Sequence, residues 1–357
     1  TELEIAGQLD RLRPRRVLTG LVERCEPRTG GPTSIHPSAG AVLFTSGTTG
    51  VAKAAFIRHR ALMASAAASR ARLGTGPTSR WLGSLPLFHI GGLAMLWRCV
   101  HDGSTLVLSD RLDADERVTH ASLVAATLRR ALEKGAPRLP HLRAVLVGGG
   151  PTPQGLVDEA RGAGLPVRLT YGLTEACSQV TTQTDAIGHD AGTPLDGTEV
   201  RLGLDGEILV RGPTLFTCYL FDERATAAAR GDGWLKTGDF GELDARGRLT
   251  VLGRRHDLLI SGGENVYPAE IEAALLEHPT VRDAGVLALE DERWGQVPMA
   301  LVVPRFGQLD EAALRDWCRG RLAAFKVPTR IRSVAALPRN ALGKLDRRAL
   351  AALGGGP

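Results

Sequence analysis

The sequence predicts an α/β protein with a large layered N-terminal domain of mostly parallel sheets, a β-rich subdomain and a small α+β C-terminal domain. Three observations carry this prediction. Strand and helix patterns alternate over residues 41–170, short β segments follow Gly206, and a new α+β pattern begins after residue 257. With 357 residues, 43% of them apolar, the chain can bury a large core and form more than one domain.

The first half of the chain contains the alternating part. Alanine-rich or helically periodic segments alternate with short apolar runs that Gly or Pro residues bound. In chain order the pattern predicts a strand at 41–44, a helix at 54–72, strands at 81–87 and 105–108, a helix at 121–134, a strand at 142–147, a helix at 153–161 and a strand at 167–170. Such alternation is typical of a layered domain with a largely parallel sheet.

The second half has a different pattern. It predicts strands at 207–210 and 248–252, then a break, a hairpin-like stretch, a helix at 268–277, strands at 284–289 and 299–303, and a helix at 310–323. The break falls at 253–257, and the part after it is long enough to be a domain of its own. We therefore expect a large domain over 1–252, a hinge over 253–257 and a small domain over 258–357.

Composition excludes several classes of protein. There is no apolar run of about 18 residues, and the first residues, Thr1-Glu2-Leu3-Glu4, do not resemble a signal peptide, so we expect a cytoplasmic protein without membrane insertion. The five cysteines are scattered, with no C-x-x-C pair, which predicts neither a disulfide framework nor a zinc site. The net charge of +5 comes from basic residues dispersed among acids, a pattern that does not predict nucleic-acid binding.

The most informative segment is a loop, rich in glycine and hydroxyl groups, that follows the apolar run at 41–44. Its hydroxyls, backbone N–H groups and one ammonium can donate to phosphate oxygens, and its glycines let the backbone approach a bulky anion. It is not a Walker A loop, because only two residues separate its glycines and alanine follows its lysine. A plain solvated loop is the alternative. The candidate phosphate-binding residues are Thr45, Ser46, Gly47, Thr48, Thr49, Gly50 and Lys53.

The loop resembles the phosphate loop of adenylate-forming enzymes, the superfamily of acyl-CoA synthetases, luciferases and peptide-synthetase adenylation domains. Ala52 stands where the family usually has proline. Four further motifs follow in the family's order: Y-G-L-T-E at 171–175, T-G-D at 237–239, G-R at 253–254 and G-K at 343–344. The resemblance covers roughly residues 41–350. It implies an enzyme that activates a carboxylic acid with ATP and Mg²⁺ and passes the acyl group to coenzyme A.

The motif at 171–175 follows a predicted strand, where open α/β sheets present ligand-binding residues. A glutamate there is often only an acid at a helix start. The resemblance implies instead that Glu175 holds Mg²⁺ and that Tyr171, beside Gly172, stacks on adenine, while Thr174 can donate to a phosphate or carboxylate. It further implies close approach of the backbone to the adenine and the acyl group at Gly148, Gly149 and Gly150.

Two motifs further along the chain concern the ribose and the reacting phosphate. Asp239 can accept both ribose hydroxyls, and the resemblance implies that Arg254 assists it. Alone, T-G-D would be a turn. Lys344 lies in a C-terminal motif whose lysine reaches into the site in the family. A mobile ammonium between the carboxylate and the α-phosphate would reduce the repulsion of two anions; an ordinary surface lysine is the alternative.

The two half-reactions need different groups at one centre, and the family rotates its small mobile domain between them. His256 occupies the hinge position, which is often Asp, Lys or Ser in relatives. A histidine there can make the rotation weakly dependent on pH. The second conformation would present residues 261–265 to the acyl adenylate and lay the pantetheine of coenzyme A in a tunnel.

Two segments concern the acid. Residues 86–92 and 95–98 form an apolar wall with His89, which we predict to be a gate beside the reacting carboxylate, and residues 177–182 give the acyl pocket a polar patch around Ser178 and Gln179. These segments and 253–272 are similar to the o-succinylbenzoate–CoA ligase family of menaquinone biosynthesis. That acid has a second carboxylate, for which Arg98 and Ser178 are candidates because arginine can grip a carboxylate at two points. A surface or structural ion pair is the alternative for Arg98.

The sequence leaves other functions open. They are a ligase for another aryl or fatty acid, an adenylation domain that loads a carrier protein, and a catalytically silent nucleotide-binding scaffold. Only 44 residues precede the phosphate loop, fewer than in most relatives, which predicts an abbreviated first subdomain and a more open acyl pocket or dimer face. A homodimer is therefore an open alternative to a monomer.

Overall fold

The computed structural model describes residues 17–19, 22–24, 38–45, 52–307, 309–339 and 345–355. The chain divides into two compact units, residues 1–39 and 40–357. In the first unit, strands β1 (Val17–Thr19) and β2 (Val22–Arg24) pair in antiparallel fashion. The remaining elements lie from residue 39 onward.

A small sheet flanks the predicted phosphate loop. It consists of strands β3 (Ala39–Thr45), β4 (Lys53–Arg58) and β14 (Cys218–Tyr219), with β4 in the middle. The Ala55 and Ile57 side chains project from one face of β4 and are fully buried in the core that packs there. The sheet thus holds Thr45 and Lys53, the residues at the two ends of the loop segment.

The largest sheet has seven strands. In spatial order they are β11 (Thr193–Pro194), β10 (Ser178–Thr182), β9 (Val167–Leu173), β8 (Ala144–Val147), β7 (His120–Leu123), β5 (Arg80–Leu82) and β6 (Thr105–Val107). Neighbouring strands from β6 to β9 are parallel, whereas β10 and β11 are antiparallel to their neighbours. The predicted α/β fold with a mostly parallel sheet is confirmed.

Helices cover both faces of this sheet. They are α1 (His59–Leu73) and α2 (Ile90–Asp102) on one face and α3 (Ala125–Glu133) and α4 (Gln154–Gly162) on the other. Successive strand residues point to opposite faces. Trp81 therefore packs under α2 with Met95, while Leu82 packs in the core under α3 and α4. A 3₁₀ turn over Thr174–Ala176 follows β9.

An antiparallel sheet forms the predicted β-rich part. Its strands are β12 (Glu199–Leu202), β13 (Glu207–Arg211), β15 (Arg230–Gly231), β16 (Trp234–Leu243) and β17 (Leu249–Arg254), with α5 (Glu223–Ala229) before β15. The long strand β16 pairs with β13, β15 and β17. A 3₁₀ turn over Arg255–Asp257 then leads into the C-terminal elements.

The C-terminal elements form an α+β group. They are β18 (Leu259–Ser261), β19 (Glu264–Val266), α6 (Pro268–Leu276), β20 (Val281–Asp291), β21 (Gly295–Pro304), α7 (Glu311–Arg319), a 3₁₀ turn (Ala324–Lys326), β22 (Arg330–Ser333) and α8 (Arg347–Gly354). The Asp310 and Asp346 carboxylates accept backbone N–H groups at the starts of α7 and α8. Of the helices in the described parts of the chain, none is both long and apolar enough to cross a membrane.

Some predicted elements are wrong in type or extent. Residues 54–58 belong to β4 rather than to a helix, because pairing with two strands outweighs the helix propensity of alanine. Residues 121–123 belong to β7, and the helix begins only at Ala125. The strand predicted at 81–87 ends at Leu82. Residues 90–102, predicted only as an apolar wall, form α2.

Candidate active site

Three predicted nucleotide-binding side chains form one connected chain of contacts. Tyr171, near the C-terminal end of β9, donates its hydroxyl hydrogen bond to Oδ2 of Asp239 over 2.7 Å. Nε of Arg254 lies 2.9 Å from the other carboxylate oxygen, Oδ1. Asp239 and Arg254 face each other across β16 and β17, so the antiparallel register places them together.

The charges and burial of these three residues suit a carboxylate that binds a diol. Asp239 is only 4% exposed, and its charge is balanced by Arg254. Burial raises the pKa of Tyr171 well above its ordinary value, and the Asp239 carboxylate raises it further, so Tyr171 stays a hydrogen-bond donor. A carboxylate has about four acceptor positions. Two are used here, which leaves positions for ribose hydroxyls.

A second group of contacts surrounds Glu175. This residue lies in the 3₁₀ turn after β9, and its Oε1 accepts a 2.7 Å hydrogen bond from the hydroxyl of Tyr219. The Lys53 ammonium lies 5.1 Å from the centroid of the Tyr219 ring. The structure thus brings together Lys53 and Glu175, which the sequence predicted separately. Tyr219 was not predicted, because its place depends on the pairing of β14 with β4.

The glycines around these side chains have steric reasons for their identity. A Cβ on Gly148 would lie 2.6 Å from the carbonyl oxygen of Thr170, and one on Gly172 would lie 1.6 Å from that of Ser178. Gly149 has a φ of +82°, a left-handed conformation that favours glycine. At Gly150 a Cβ would meet nothing within 4 Å. Open space at Gly150 is compatible with the predicted approach of a ligand to this turn.

The predicted acyl-pocket residues lie on and around α2. His89 directly precedes this helix, and its ring lies 4.4 Å from that of Phe88. Arg98 is inside α2, only 2% exposed, with its guanidinium 5.1 Å from the centroid of the Trp81 ring. Among the residues that the structure describes, neither Nε nor Nη1 of Arg98 has a hydrogen-bond partner. Arg98 is therefore not a surface residue, and a structural ion pair remains the alternative to a role in ligand binding.

Arg98 remains a cation despite its burial. Burial lowers the pKa of its guanidinium to about 10, and the neighbouring Cys99 and Asp102 oppose this change. The side chain is therefore protonated at neutral pH. A buried cation with two N–H groups lacking partners among the described residues is costly, and such groups in a native structure need an explanation. An anionic ligand would satisfy them.

The polar patch lies on β10, which packs against α2. Ser178 begins this strand with a φ of +87°. Gln179 is buried, and its amide nitrogen donates to Oγ1 of Thr182 over 2.7 Å. Its amide oxygen Oε1 has no partner among the residues that the structure describes. Helix α2 and strand β10 therefore each carry a buried side chain with polar atoms that lack a partner among the described residues.

Some predicted residues lie outside the described part of the chain: Ser46, Gly47, Thr48, Thr49, Gly50 and Lys344. Thr45 and Lys53 border the first segment at the ends of β3 and β4. Arg339 and Leu345, which border the Lys344 segment, form an antiparallel bridge with each other. His256 lies in the 3₁₀ turn between β17 and β18, with its side chain 42% exposed and Nε2 3.6 Å from Oδ1 of Asp257.

Glu175 fits a magnesium ion that takes most of its ligands from substrate phosphates and water rather than from the protein. Within the described ranges, no group of three or more His, Cys, Asp or Glu side chains could hold a metal. Mg²⁺ commonly uses one or two carboxylates together with substrate phosphates and water. Glu175, with one oxygen taken by Tyr219, can supply such a carboxylate next to the phosphate-loop lysine.

The Asp239 contacts give a first testable prediction. We expect Asp239→Asn to weaken ATP binding by about 10- to 100-fold, since hydrogen bonds to a charged group contribute roughly 1.5–3 kcal/mol. Calorimetric titration with ATP would measure the change. Asp205→Asn is the matched control, because Asp205 is exposed and pairs with Arg255. An unchanged dissociation constant in a folded Asp239→Asn variant would refute the role of Asp239.

Comparison with known proteins gives a consistent assignment. The family model of AMP-binding enzymes matches residues 19–220, and that of the AMP-binding enzyme C-terminal domain matches residues 270–344. The 2-succinylbenzoate–CoA ligase of Bacillus licheniformis is 45% identical over 341 residues, which are 89% of this chain and 71% of the relative. The Bacillus subtilis ligase of the same name is 41% identical over 330 residues, covering 87% of this chain and 68% of the relative.

Solved structures of o-succinylbenzoate–CoA synthetase from Bacillus subtilis are similar as well. Its complex with the acyl-adenylate intermediate has a TM-score of 0.81 at 41% identity and covers 87% of this chain and 68% of that one. The complex with ATP and magnesium has a TM-score of 0.80 at 40% identity, covering 87% and 69%. A double mutant bound to a product analogue has a TM-score of only 0.60 at 40% identity, although it covers 92% and 72%.

Proposed function

The chain belongs to the family of AMP-binding enzymes, and from this premise we propose that it is a 2-succinylbenzoate–CoA ligase of menaquinone biosynthesis. It is an AMP-forming acid–thiol ligase that uses ATP, Mg²⁺ and coenzyme A. In the first step a substrate carboxylate oxygen attacks the α-phosphorus of ATP, and pyrophosphate leaves. In the second step the thiol of coenzyme A attacks the acyl carbonyl of the acyl adenylate, AMP leaves, and the thiol proton is released.

The described side chains divide the work of the first step. Asp239 would accept the ribose hydroxyls and Tyr171 would pack on the adenine, while Lys53 would lie beside the phosphates. Glu175 would hold Mg²⁺, which neutralises phosphate charge when bound. The chemistry is mainly alignment of two anions and neutralisation of their charge. No cysteine is needed as a nucleophile, and burial raises the pKa of the Cys177 thiol to about 12.

One observation carries the choice of acid: the buried Arg98 whose Nε and Nη1 have no partner among the described residues. 2-Succinylbenzoate has two carboxylates, and only the succinyl carboxylate is activated. The ring carboxylate would be buried with the rest of the acyl group and needs a cation. Arg98 can grip it at two points, with Ser178 on the adjacent β10 as a second donor. A monocarboxylic acid would leave Arg98 unsatisfied.

The second step would use a rotated small domain. We assign residues 1–252 to the large domain, 253–257 to the hinge and 258–357 to the lid that carries Lys344. Two findings support this assignment. His256 is a half-exposed residue in a short turn between two sheets. The chain is also less similar to the relative bound to a product analogue than to the adenylate-bound one, with TM-scores of 0.60 and 0.81.

The substrates in this proposal are all small molecules. ATP and coenzyme A are cytoplasmic metabolites, so we place the reaction in the cytoplasm. A homodimer is compatible with this reaction but is not needed for it, because the nucleotide-binding residues Tyr171, Asp239 and Arg254 contact one another within one chain.

A substrate panel tests the proposed function. Pyrophosphate release is measured with ATP, Mg²⁺ and 2-succinylbenzoate, with and without coenzyme A, and with benzoate and octanoate as control acids. We expect sustained turnover only with 2-succinylbenzoate and coenzyme A. Turnover with a control acid would keep the ligase chemistry and overturn the substrate. Pyrophosphate release without thioester formation would favour an adenylation domain that loads a carrier protein, and silence with every acid would favour a nucleotide-binding scaffold.

A further inference from the structure

Tyr219 contacts two groups that the adenylation step requires, and no motif predicted it. Its hydroxyl lies 2.7 Å from Oε1 of Glu175. Its ring lies beneath the Lys53 ammonium, with 5.1 Å between Nζ and the ring centroid. One side chain thus connects the residue proposed to hold the metal with the lysine that borders the phosphate loop.

The fold holds Tyr219 firmly in this place. The strand pair β14–β4 sets Tyr219 opposite Ala55, two residues from Lys53. The backbone N–H of Tyr219 donates to Oγ1 of Thr226 over 2.9 Å, and its ring packs on that of Phe216 with centroids 4.8 Å apart. Tyr219 is only 8% exposed. A buried, strand-anchored ring is a suitable support for two charged side chains.

The direction of the hydrogen bond follows from the chemistry of the two groups. A carboxylate only accepts, so the phenol hydroxyl of Tyr219 donates to Oε1 of Glu175. This hydrogen bond uses one of the two acceptor positions of Oε1, so Oε2 is the oxygen with more acceptor capacity left for a cation. The ring face attracts the Lys53 ammonium through its quadrupole.

We propose that Tyr219 is a positioning residue for Mg²⁺-bound ATP: its hydroxyl orients the Glu175 carboxylate toward the metal, and its ring orients the Lys53 ammonium toward the same phosphates. This inference rests on the proposed function for the identity of the nucleotide. The two contacts use different parts of the side chain. Tyr219→Phe removes only the hydroxyl, whereas Tyr219→Leu removes the hydroxyl and the ring.

Equilibrium binding of ATP, measured by calorimetry at a series of Mg²⁺ concentrations and again in EDTA, tests both contacts without relying on turnover. For Tyr219→Phe we expect the Mg²⁺ concentration that gives half-maximal binding to rise about 10-fold, as for loss of a hydrogen bond to a charged group. Its binding in EDTA should match the wild type. For Tyr219→Leu we expect the same rise together with about 3-fold weaker binding in EDTA.

Tyr267→Phe is the matched control, because Tyr267 is equally buried but belongs to the C-terminal elements. An unchanged Mg²⁺ requirement in Tyr219→Phe would overturn the hydroxyl's role. Equal binding of the Phe and Leu variants in EDTA would overturn the ring's role. Glu175→Gln provides a second measurement: adding Tyr219→Phe to it should have no further effect, and an additive effect would contradict the proposal.

The test of Tyr219 can fail or succeed independently of the test of the proposed ligase function. ATP binding needs no acid and no coenzyme A. A wild-type protein that binds Mg²⁺ and ATP but makes no thioester would refute the ligase and leave the role of Tyr219 intact. Normal thioester formation by a Tyr219→Phe variant with an unchanged Mg²⁺ requirement would do the reverse.

Discussion

Lys344→Ala is expected to lower the rate of adenylation by about 10²–10³-fold, the cost of removing one preorganised donor from a developing anion. The attacking carboxylate and the α-phosphate are both negative, and the ammonium would lie between them. The second half-reaction starts from an acyl adenylate, whose acyl group no longer carries the carboxylate charge, and would use the rotated small domain. Thioester formation from supplied acyl adenylate should therefore be largely unchanged. Rapid-quench measurement of each half-reaction separates the two effects.

The borders of the Lys344 segment support this prediction. Arg339 and Leu345 form a bridge, and the Arg339 guanidinium lies 2.7 Å from the carboxylate of Asp283. On the other side, Arg347 pairs with Glu272 and lies 3.5 Å from Asp257 in the 3₁₀ turn after β17. The described residues on both sides of the segment thus have defined contacts. Lys134→Ala, at an exposed helix end, is the control, and equal loss in both half-reactions of Lys344→Ala would contradict the role given to Lys344.

Arg98→Met is expected to lower kcat/KM for 2-succinylbenzoate by about 10²–10³-fold, because truncating one partner of a buried charge pair costs roughly 2–5 kcal/mol. The analogue 4-oxo-4-phenylbutanoate, which lacks the ring carboxylate, should be used equally well or better by the variant. The same substitution should not reduce the stability of the free protein. It replaces a buried cation with an apolar chain of similar length, which is often neutral or stabilising.

The two readouts of Arg98→Met distinguish recognition from packing. A structural role would lower the melting temperature and reduce the activity with both acids. Recognition of the ring carboxylate would change the ratio of the two acids at an unchanged or higher melting temperature. Arg130→Met, on the exposed side of α3, is the control. An unchanged preference for 2-succinylbenzoate in the Arg98→Met variant would refute the assignment of Arg98.

Much of the site could be predicted from local motifs. Short motifs that resemble those of a known family contain Tyr171, Glu175, Asp239 and Arg254. The structure places Asp239 beside both Tyr171 and Arg254. The alternation of helices and strands likewise predicted the layered fold. Apolar residues recur every 2 positions in a strand and about every 3.6 positions in a helix, and this difference is visible in a short stretch of sequence. A short motif was therefore sufficient to predict a site residue when the residues that identify the motif lie next to it in the sequence.

The rest depended on pairing between distant segments. Residues 54–58 have a composition typical of a helix, but they pair with one strand on each side and so form part of a sheet. Tyr219 has its role only because β14 pairs with β4, more than 150 positions earlier in the chain. Similarly, the burial of Arg98 became evident only from the packing of α2 on the sheet. Such contacts cannot be predicted from a short stretch of sequence, because neither partner lies in a motif that indicates the other.

The proposed reaction converts 2-succinylbenzoate to its thioester in two steps through the acyl adenylate. A single-turnover experiment with the wild-type protein, ATP, Mg²⁺ and 2-succinylbenzoate, followed by mass spectrometry, tests whether this adenylate forms. We expect bound acyl adenylate and one equivalent of pyrophosphate before coenzyme A is added, and complete conversion to the thioester with release of AMP afterwards. Thioester formation with ADP and phosphate as products, or no adenylate from this acid, would contradict the account.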